Sequence, residues 1–330
     1  MLETKNAAQS VARTSQRAMV GLTAAVALLG GLGMSNASAQ ATRPKAPIYG
    51  VTLDDVSNIN AIVASLTHLP YKPTVRVVFD PGTTAAQYYP ALVKLHAVAY
   101  VMGEVMDSYY FPSDLQTYTS RTQELVGTLK NVVDVWEIAN EINGEWLRVD
   151  SNGPDAVAAS EEQDIGNMVA AAYDIVKANG GLTAVTMYYN DDGKGNNCWQ
   201  LPMDAWQTWA QTYLPARVRQ GADYALFSYY PYQDCPGLYP NWGSDFKLLE
   251  SIFPAAKVGF GEVGTSSIYA PASVQQNILK TYYTMGTKIA DPRFIGGYFW
   301  WNYAEQMVPY STSSYWNLLN QTIKPLAAPR

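Results

Sequence analysis

The amino-acid sequence predicts an α/β protein in which a single (β/α)8 TIM barrel follows a cleavable signal peptide. Short segments rich in β-branched and aromatic residues alternate with longer amphipathic segments through eight units. These units occupy about 285 residues, the usual size of a closed barrel. The alternative, an open doubly wound sheet, is disfavoured because no glycine-rich phosphate loop follows any predicted strand.

The eight strands and the helices between them can be assigned from their periodicity. We predict strands over residues 46–53, 74–80, 97–105, 132–141, 183–190, 224–230, 257–263 and 294–302. We predict helices over residues 56–69, 85–95, 113–131, 161–181, 203–214, 244–253, 273–289 and 313–323. A regular βα alternation requires parallel strands joined by crossover helices, and no linker or repeat interrupts it. We therefore expect one domain, residues 40–330.

The N-terminal segment, residues 1–39, has the pattern of a signal peptide. Lys5, Arg13 and Arg17 precede an apolar run, and the small residues 37–39 follow it. A membrane anchor is the alternative, but the run is short and rich in glycine. We expect cleavage after Ala39 and a secreted or periplasmic protein.

The composition excludes some partners. The chain has 330 residues with 28 acidic and 22 basic side chains, a net charge of -6, so nothing favours nucleic acid or an anionic membrane. Its 24 Tyr and 9 Trp can pack a core or stack on the apolar faces of sugars.

The two cysteines, Cys198 and Cys235, are predicted to form a disulfide, because an oxidising compartment favours pairing. They lie after predicted strands five and six, so a bridge would join two neighbouring loops. The two histidines, His68 and His96, are scattered, and no spacing fits a zinc site. We expect neither a metal nor another cofactor.

Chemistry in a (β/α)8 barrel gathers at the C-terminal ends of the strands. Glu141 ends predicted strand four and Glu262 ends strand seven, on opposite sides of the ring. Two opposed carboxyl groups suit glycoside hydrolysis, and a separation of about 5 to 5.5 Å selects the retaining route. The glycines around Glu262 are expected to let a ligand approach it closely; they are Gly259, Gly261 and Gly264.

Other polar residues at the strand ends have two interpretations. Arg76 either supports the catalytic carboxylates or pairs with Glu137, which strand alternation places on the same face as Glu141. Asn190, after strand five, is a candidate for substrate binding. The remaining carboxylates are expected to be loop residues that contact sugar hydroxyls or water; they are Glu104, Asp107, Glu145 and Asp191.

These residues together resemble those of the clan A retaining glycoside hydrolases. The pattern consists of Asn-Glu at the end of strand four, Glu at the end of strand seven, Arg on strand two, a Tyr-rich end to strand six and Trp at the end of strand eight. The stretches "VRVVFDPG", "ANEINGEW" and "SYYPY" are also similar to the endo-β-1,4-galactanase family. "WEIANE" is similar to the xylosidase-like and arabinofuranosidase-like families.

The resemblance implies a role for each matching residue. Glu141 would be the general acid/base and Glu262 the nucleophile, while Asn140 would bind the sugar 2-hydroxyl. The resemblance further implies that Arg76 and Tyr230 support the nucleophile. It also implies that either Trp300 or Trp301 forms the floor of the first sugar subsite. Both tryptophans have a simpler interpretation as core residues.

The sequence therefore predicts a retaining β-glycoside hydrolase that cleaves a poly- or oligosaccharide, and we expect it to be endo-acting and monomeric. Two alternatives stay open. One is a barrel that binds carbohydrate without cleaving it, as part of a polysaccharide export or surface system. The other is a transglycosylase that uses the same two glutamates. The sugar and its linkage are left open by the sequence.

Overall fold

The structure is a computed structural model that describes residues 42–150, 153–231, 235, 237–265 and 268–326. The predicted signal peptide, residues 1–39, lies outside the described residues. Among the helices in these ranges, none is both long enough and apolar enough to cross a membrane.

Eight parallel strands close into a barrel in sequence order, which confirms the predicted fold class. The strands are β1 (Ile48–Leu53), β2 (Thr74–Val78), β3 (Tyr100–Glu104), β4 (Val135–Ala139), β5 (Leu182–Tyr188), β6 (Tyr224–Tyr229), β7 (Lys257–Val263) and β8 (Gly296–Trp300). Seven of them lie within a predicted strand, and β5 begins at Leu182, one residue before its predicted start.

Helices follow the strands and cover the outside of the barrel. They are α1 (Ile59–Thr67), α2 (Ala85–His96), α3 (Leu115–Leu129), α4 (Asp155–Ala178), α5 (Trp206–Thr212), α6 (Ala216–Gly221), α7 (Trp242–Ile252), α8 (Ala272–Tyr283), α9 (Tyr303–Met307) and α10 (Ser314–Ile323). The short helices α6 and α9 were not predicted. Helix α4 begins six residues before its predicted start, because Asp155 and the alanines after it continue the helical face.

Strand alternation separates two cores. On β4, Trp136 and Ile138 point outward into the large cluster between barrel and helices, whereas Glu137 between them points inward. The floor of the barrel interior is a smaller apolar cluster formed by Ile48, Met102, Val135, Ala184, Tyr224, Leu226, Ile295 and Phe299. Charged side chains therefore enter the interior only above this floor, toward the C-terminal ends of the strands.

Candidate active site

Arg76 on β2 is the centre of a buried ionic cluster inside the barrel. Its Nε lies 2.5 Å from Glu137 Oε2, and its Nη2 lies 3.0 Å from Glu104 Oε2. Its Nη1 lies 2.9 Å from Glu262 Oε2. Arg76, Glu104 and Glu137 are fully buried. Arg76 therefore pairs with Glu137 and also with Glu262, the candidate nucleophile, and its support of catalysis stays a prediction.

Three carboxyl groups surround one guanidinium, so their combined negative charge when all are ionised exceeds its single positive charge. Burial lowers the pKa of Arg76, but the three carboxylates outweigh it and raise that pKa well above its usual value. Burial also raises the pKa of Glu104 well above its usual range, although Arg76 opposes this. The pKa of Glu137 is likewise raised by burial, against Arg76 and the hydroxyl of Thr186. We therefore expect the cluster to retain a proton at neutral pH.

Glu262, at the end of β7, is held by three side chains. Arg76 contacts one carboxylate oxygen, the Tyr230 hydroxyl donates to the other, and Asn140 Nδ2 lies 3.5 Å from Oε2. The pKa of Glu262 is raised to about 8, because burial and the charge of Glu141 raise it by more than Arg76 and Tyr230 lower it. Burial and the adjacent carboxylate raise the pKa of Tyr230, so its phenol stays protonated and donates.

Glu141 lies two residues beyond the last residue of β4 and is only 5 % exposed. Its backbone φ of 48° is in the left-handed region, which is uncommon for a residue with a side chain. Ser228 Oγ donates to Glu141 Oε1 at 2.7 Å, and Ser108 Oγ donates to Oε2 at 3.3 Å. Two of the hydrogen-bond donors to Glu141 are thus neutral hydroxyls, whereas Glu262 is contacted by a guanidinium.

The two tryptophans at the end of β8 occupy different environments. Trp300 is fully buried in the large core, and its indole N–H donates to Gln306. Trp301 is partly exposed, and its ring centre lies 5.7 Å from Arg76 Cζ. Trp301 therefore faces the same interior space as Arg76 and Glu262, and Trp300 does not.

Asn190 is placed differently from its predicted role as a substrate-binding residue. It is fully buried, its Nδ2 donates to the Asp204 carbonyl, and its Oδ1 accepts from the Trp206 N–H. These bonds fasten the loop after β5 to the start of α5. We therefore assign Asn190 to loop structure and not to the sugar site.

The predicted disulfide between Cys198 and Cys235 is present, with the two Cα atoms 5.3 Å apart. It joins the loops after β5 and β6. Tyr188 Oη lies 3.7 Å from one sulfur and 3.4 Å from the other. The Tyr188 ring also packs edge-on against Trp146, with ring centres 5.0 Å apart. The disulfide therefore supports the wall of the cleft near Trp146.

The glycines near Glu262 serve packing within the protein, which corrects the expectation of close approach by a ligand. A Cβ atom on Gly261 would lie 2.5 Å from Thr186 Oγ1. A Cβ atom on Gly264 would lie 3.1 Å from the Tyr230 ring and 3.2 Å from Trp301 Cβ. Gly264 therefore allows these two aromatic residues to converge on the site.

One of the competing carboxylates was also assigned wrongly. Glu104 is a fully buried partner of Arg76 and not a loop residue exposed to sugar or water. Asp107 accepts from the Tyr109 N–H, and Asp191 accepts from the Trp199 indole and from Gly193 N. Asp107 and Asp191 therefore order their own loops.

Three residues of the site were missed at the level of sequence. Ser228 precedes Tyr230 by two residues on β6, so strand alternation already indicated that both face inward. Thr186, whose hydroxyl donates to Glu137, was detectable by the same rule on β5. Ser108 lies in an irregular loop after β3, where no periodicity predicts its direction.

No group of three or more His, Cys, Asp or Glu side chains suited to a metal ion occurs within the described ranges. The acidic cluster is instead organised by Arg76. The expectation that the site works without a metal stays a prediction.

Known structures share the architecture of the chain. A β-glucosidase from Thermotoga maritima in complex with noeuromycin has 11 % sequence identity and a TM-score of 0.57, covering 82 % of this chain and 86 % of that one. The same enzyme in complex with a methoxycarbonyl-substituted glucoimidazole has 11 % sequence identity and a TM-score of 0.60, covering 87 % of this chain and 100 % of that one. A further structure is described as a family 1 β-glucosidase from Thermotoga maritima. It has 11 % sequence identity and a TM-score of 0.56, covering 81 % of this chain and 85 % of that one.

These comparisons define the class of fold. At this identity they show that the chain is a (β/α)8 barrel like those β-glucosidases, which have the architecture of clan A. No protein-family model matches the chain. No curated protein matches it significantly in sequence. The similarity of three short stretches to endo-β-1,4-galactanases stays a prediction.

Proposed function

We propose that the protein is a retaining β-glycoside hydrolase of the clan A type. The observation that carries this proposal is the unequal environment of two glutamates at the C-terminal end of the barrel. Glu262 receives a guanidinium, a phenol and an amide, which stabilise an anion. Glu141 is bonded to two serine hydroxyls and interacts electrostatically with Glu262. A carboxylate held by a guanidinium beside a carboxyl group bonded to serine hydroxyls suits a nucleophile and an acid/base.

In the first step Glu262 attacks the anomeric carbon of a bound sugar while Glu141 donates its proton to the leaving oxygen. The glycosidic C–O bond breaks as the bond to Glu262 forms, so the products are an ester intermediate and a free alcohol. Arg76 and the Tyr230 hydroxyl lower the pKa of Glu262 against the effect of burial, and so favour the anionic form that attacks. Asn140 donates toward Glu262 and is placed to bind the sugar 2-hydroxyl, and Trp301 supplies the floor of the subsite.

In the second step water replaces the leaving group. Glu141, now ionised, removes a proton from that water, and the oxygen attacks the anomeric carbon from the side opposite the ester. The ester bond to Glu262 breaks and Glu141 regains its proton. Two inversions give net retention of configuration.

Exposed aromatic side chains around the cleft support action on a chain of sugars. Tyr109 follows β3 and is 43 % exposed, and Tyr239 follows β6 and is 75 % exposed. Trp199, after β5, is partly buried. Because these loops belong to the C-terminal end of the barrel, their rings can stack on sugars beyond the cleaved bond. This supports endo-action on a polysaccharide, and the disulfide supports a secreted or periplasmic enzyme.

Replacing each glutamate separately tests the roles. Glu262→Ala should abolish turnover, and added azide should restore it with an α-linked glycosyl azide as product, because azide replaces the nucleophile and inverts the anomeric carbon once. Glu141→Ala should lose about 10²- to 10⁴-fold on substrates with poor leaving groups but form the ester quickly from aryl glycosides with good ones. Kinetics with both substrate types provide the measurement.

The matched control is Asp164→Ala, which removes an exposed carboxylate from α4. It should leave activity unchanged. Wild-type activity in either glutamate variant would disprove the role of that residue.

A panel of galactans, glucans, mannans, arabinans and bacterial exopolysaccharides identifies the substrate and separates the alternatives. Hydrolysis should release reducing ends with retained configuration, and internal cleavage should shorten the polymer rapidly. Transfer to an added acceptor sugar would indicate a transglycosylase. Binding without any new reducing end would indicate a carbohydrate-binding barrel.

A further inference from the structure

We infer that Ser228 and Ser108 are positioning residues that hold both oxygens of the Glu141 carboxyl group and govern its exchange of a proton. The inference rests on the proposed function, because it assigns these hydroxyls to the acid/base of that reaction. Ser228 is the first residue of the stretch "SYYPY", but the sequence assigned no role to it, and Ser108 lies outside the pattern from which Glu141 and Glu262 were predicted. Both are buried, Ser228 completely and Ser108 with 5 % exposure.

Ser228 is placed by the barrel itself. It lies on β6 and is paired in register with Glu262 on β7. Its hydroxyl does not bond to Glu262 in this arrangement but donates to Glu141 Oε1 at 2.7 Å. One strand position thus links the two candidate catalytic residues and fixes the first oxygen of Glu141.

Ser108 is oriented by a tryptophan. The indole N–H of Trp146 donates to Ser108 Oγ at 3.2 Å, and Ser108 Oγ lies 3.3 Å from Glu141 Oε2. An indole nitrogen can only donate, so Ser108 must accept this bond and its single hydrogen is directed to Glu141. The edge-on contact with Tyr188 holds the Trp146 ring in place.

Neutral hydroxyls suit a group that must alternate between two protonation states. A hydroxyl can donate to a carboxylate and, after rotation, accept from a carboxylic acid. A guanidinium can only donate, so it would lock Glu141 in the ionised form. Two donated bonds still favour the anion, and their loss should make Glu141 retain its proton to higher pH.

Titratable groups that interact with Glu141 include Glu137 on β4, Tyr230 after β6 and Glu262 on β7. Substitution of either serine leaves all three in place. A changed titration of Glu141 in a serine variant therefore reports the lost hydroxyl.

Nuclear magnetic resonance of ¹³C-labelled glutamate carboxyls in the full chain tests the inference without requiring activity. The Glu141 signal is assigned by its absence in Glu141→Gln. Ser228→Ala and Ser108→Ala should each move its titration midpoint to higher pH by about half a unit to one unit. Ser228→Thr, which keeps a hydroxyl, should restore the wild-type midpoint. An unchanged midpoint in both alanine variants would overturn the inference.

The variant Trp146→Phe tests the role of Trp146, which donates to Ser108 in the series of hydrogen bonds that ends at Glu141. It keeps an aromatic ring but removes the N–H that orients Ser108. We expect a shift in the same direction as Ser108→Ala, and the double variant should shift no further than Ser108→Ala alone. Additive shifts would show that Trp146 acts independently of Ser108, which contradicts the arrangement inferred here.

Kinetics separate this inference from the proposed function. On aryl β-glycosides of the sugar that the wild type cleaves, Ser228→Ala should lose about tenfold or more in kcat/KM with phenol and little with 2,4-dinitrophenol as leaving group. The control Ser65→Ala removes a buried hydroxyl of the outer helix α1 that donates to the Ala61 carbonyl and accepts from the Tyr310 N–H, and it should change neither. Absence of cleavage by the wild type disproves the proposed function, whereas an unchanged Glu141 titration disproves only the positioning role.

Discussion

At the scale of single residues, the environment of a carboxyl group decides its chemistry. Glu262 and Glu141 are the same residue type at the same end of the barrel, yet one is bonded to Arg76 and the other to serines. The asymmetry is created by the inward-facing residues of β2 and β6. Their side chains differ in charge, so the two carboxyl groups differ in the protonation state that their neighbours stabilise.

The raised pKa of Glu262 predicts a change of stability with pH. Its pKa of about 8 in the folded protein exceeds the usual carboxyl value, so the folded state binds more protons than the unfolded state between about pH 4.5 and 8. Stability contributed by this group falls as pH rises through that window. Because Glu262→Gln cannot ionise, its stability relative to the wild type should increase by about 1 to 3 kcal/mol from pH 5 to pH 8.

Chemical unfolding of both proteins at the two pH values measures this difference. Asp164→Asn on the exposed face of α4 is the control and should show no such trend. A constant difference between Glu262→Gln and the wild type would mean that the surrounding cluster does not hold a proton on Glu262.

At the scale of structural elements, the loops after the strands are fastened to each other. Asn143, after β4, receives a bond from Tyr188 N and donates to the carbonyls of Tyr188 and Asp204. The disulfide then joins the β5 loop to the β6 loop beside the same tyrosine. These contacts give rigidity to the side of the cleft that carries Trp146.

Removing the disulfide should therefore cost stability. The Cys198→Ser/Cys235→Ser variant should lose about 2 to 4 kcal/mol of unfolding free energy, because the bridge closes a segment of 37 residues in the unfolded chain. Denaturant unfolding without reductant measures the loss, and reduced wild type serves as the comparison. Equal stability of variant and oxidised wild type would show that the bridge contributes nothing.

At the scale of the whole molecule, charge separates classes of substrate. The chain carries a net charge of -6, and the carboxyl groups that interact around Arg76 include Glu104, Asp107, Glu137 and Glu262. A glycan that carries carboxylate or sulfate groups would be repelled both during approach and in the cleft.

We therefore predict a preference for uncharged polysaccharides. At low ionic strength, kcat/KM should be about tenfold or more lower for a uronate-containing polymer than for a neutral polymer with the same backbone linkage. The difference should narrow at high salt as the charges are screened. Equal rates at low salt would contradict the prediction.

Much of this architecture was predictable because strands and barrels follow short-range rules. Period-two patterns identified eight strands, and the rule that barrel chemistry lies at their C-terminal ends selected Glu141 and Glu262. The period-two alternation also placed Glu137 on an inward face, where the structure shows an ion pair between Glu137 and Arg76.

The sequence by itself determined the fold and the candidate glutamates, because hydrophobic periodicity is a local property of the chain. Only the tertiary structure decided between Trp300 and Trp301, since Tyr298 and Phe299 just before them have positive φ values and alternation fails there. It also placed Glu104 against Arg76 and Ser108 against Glu141, which lie far apart in sequence. Partners of a buried charge are set by how strands and loops converge in space, and that convergence is not a local property.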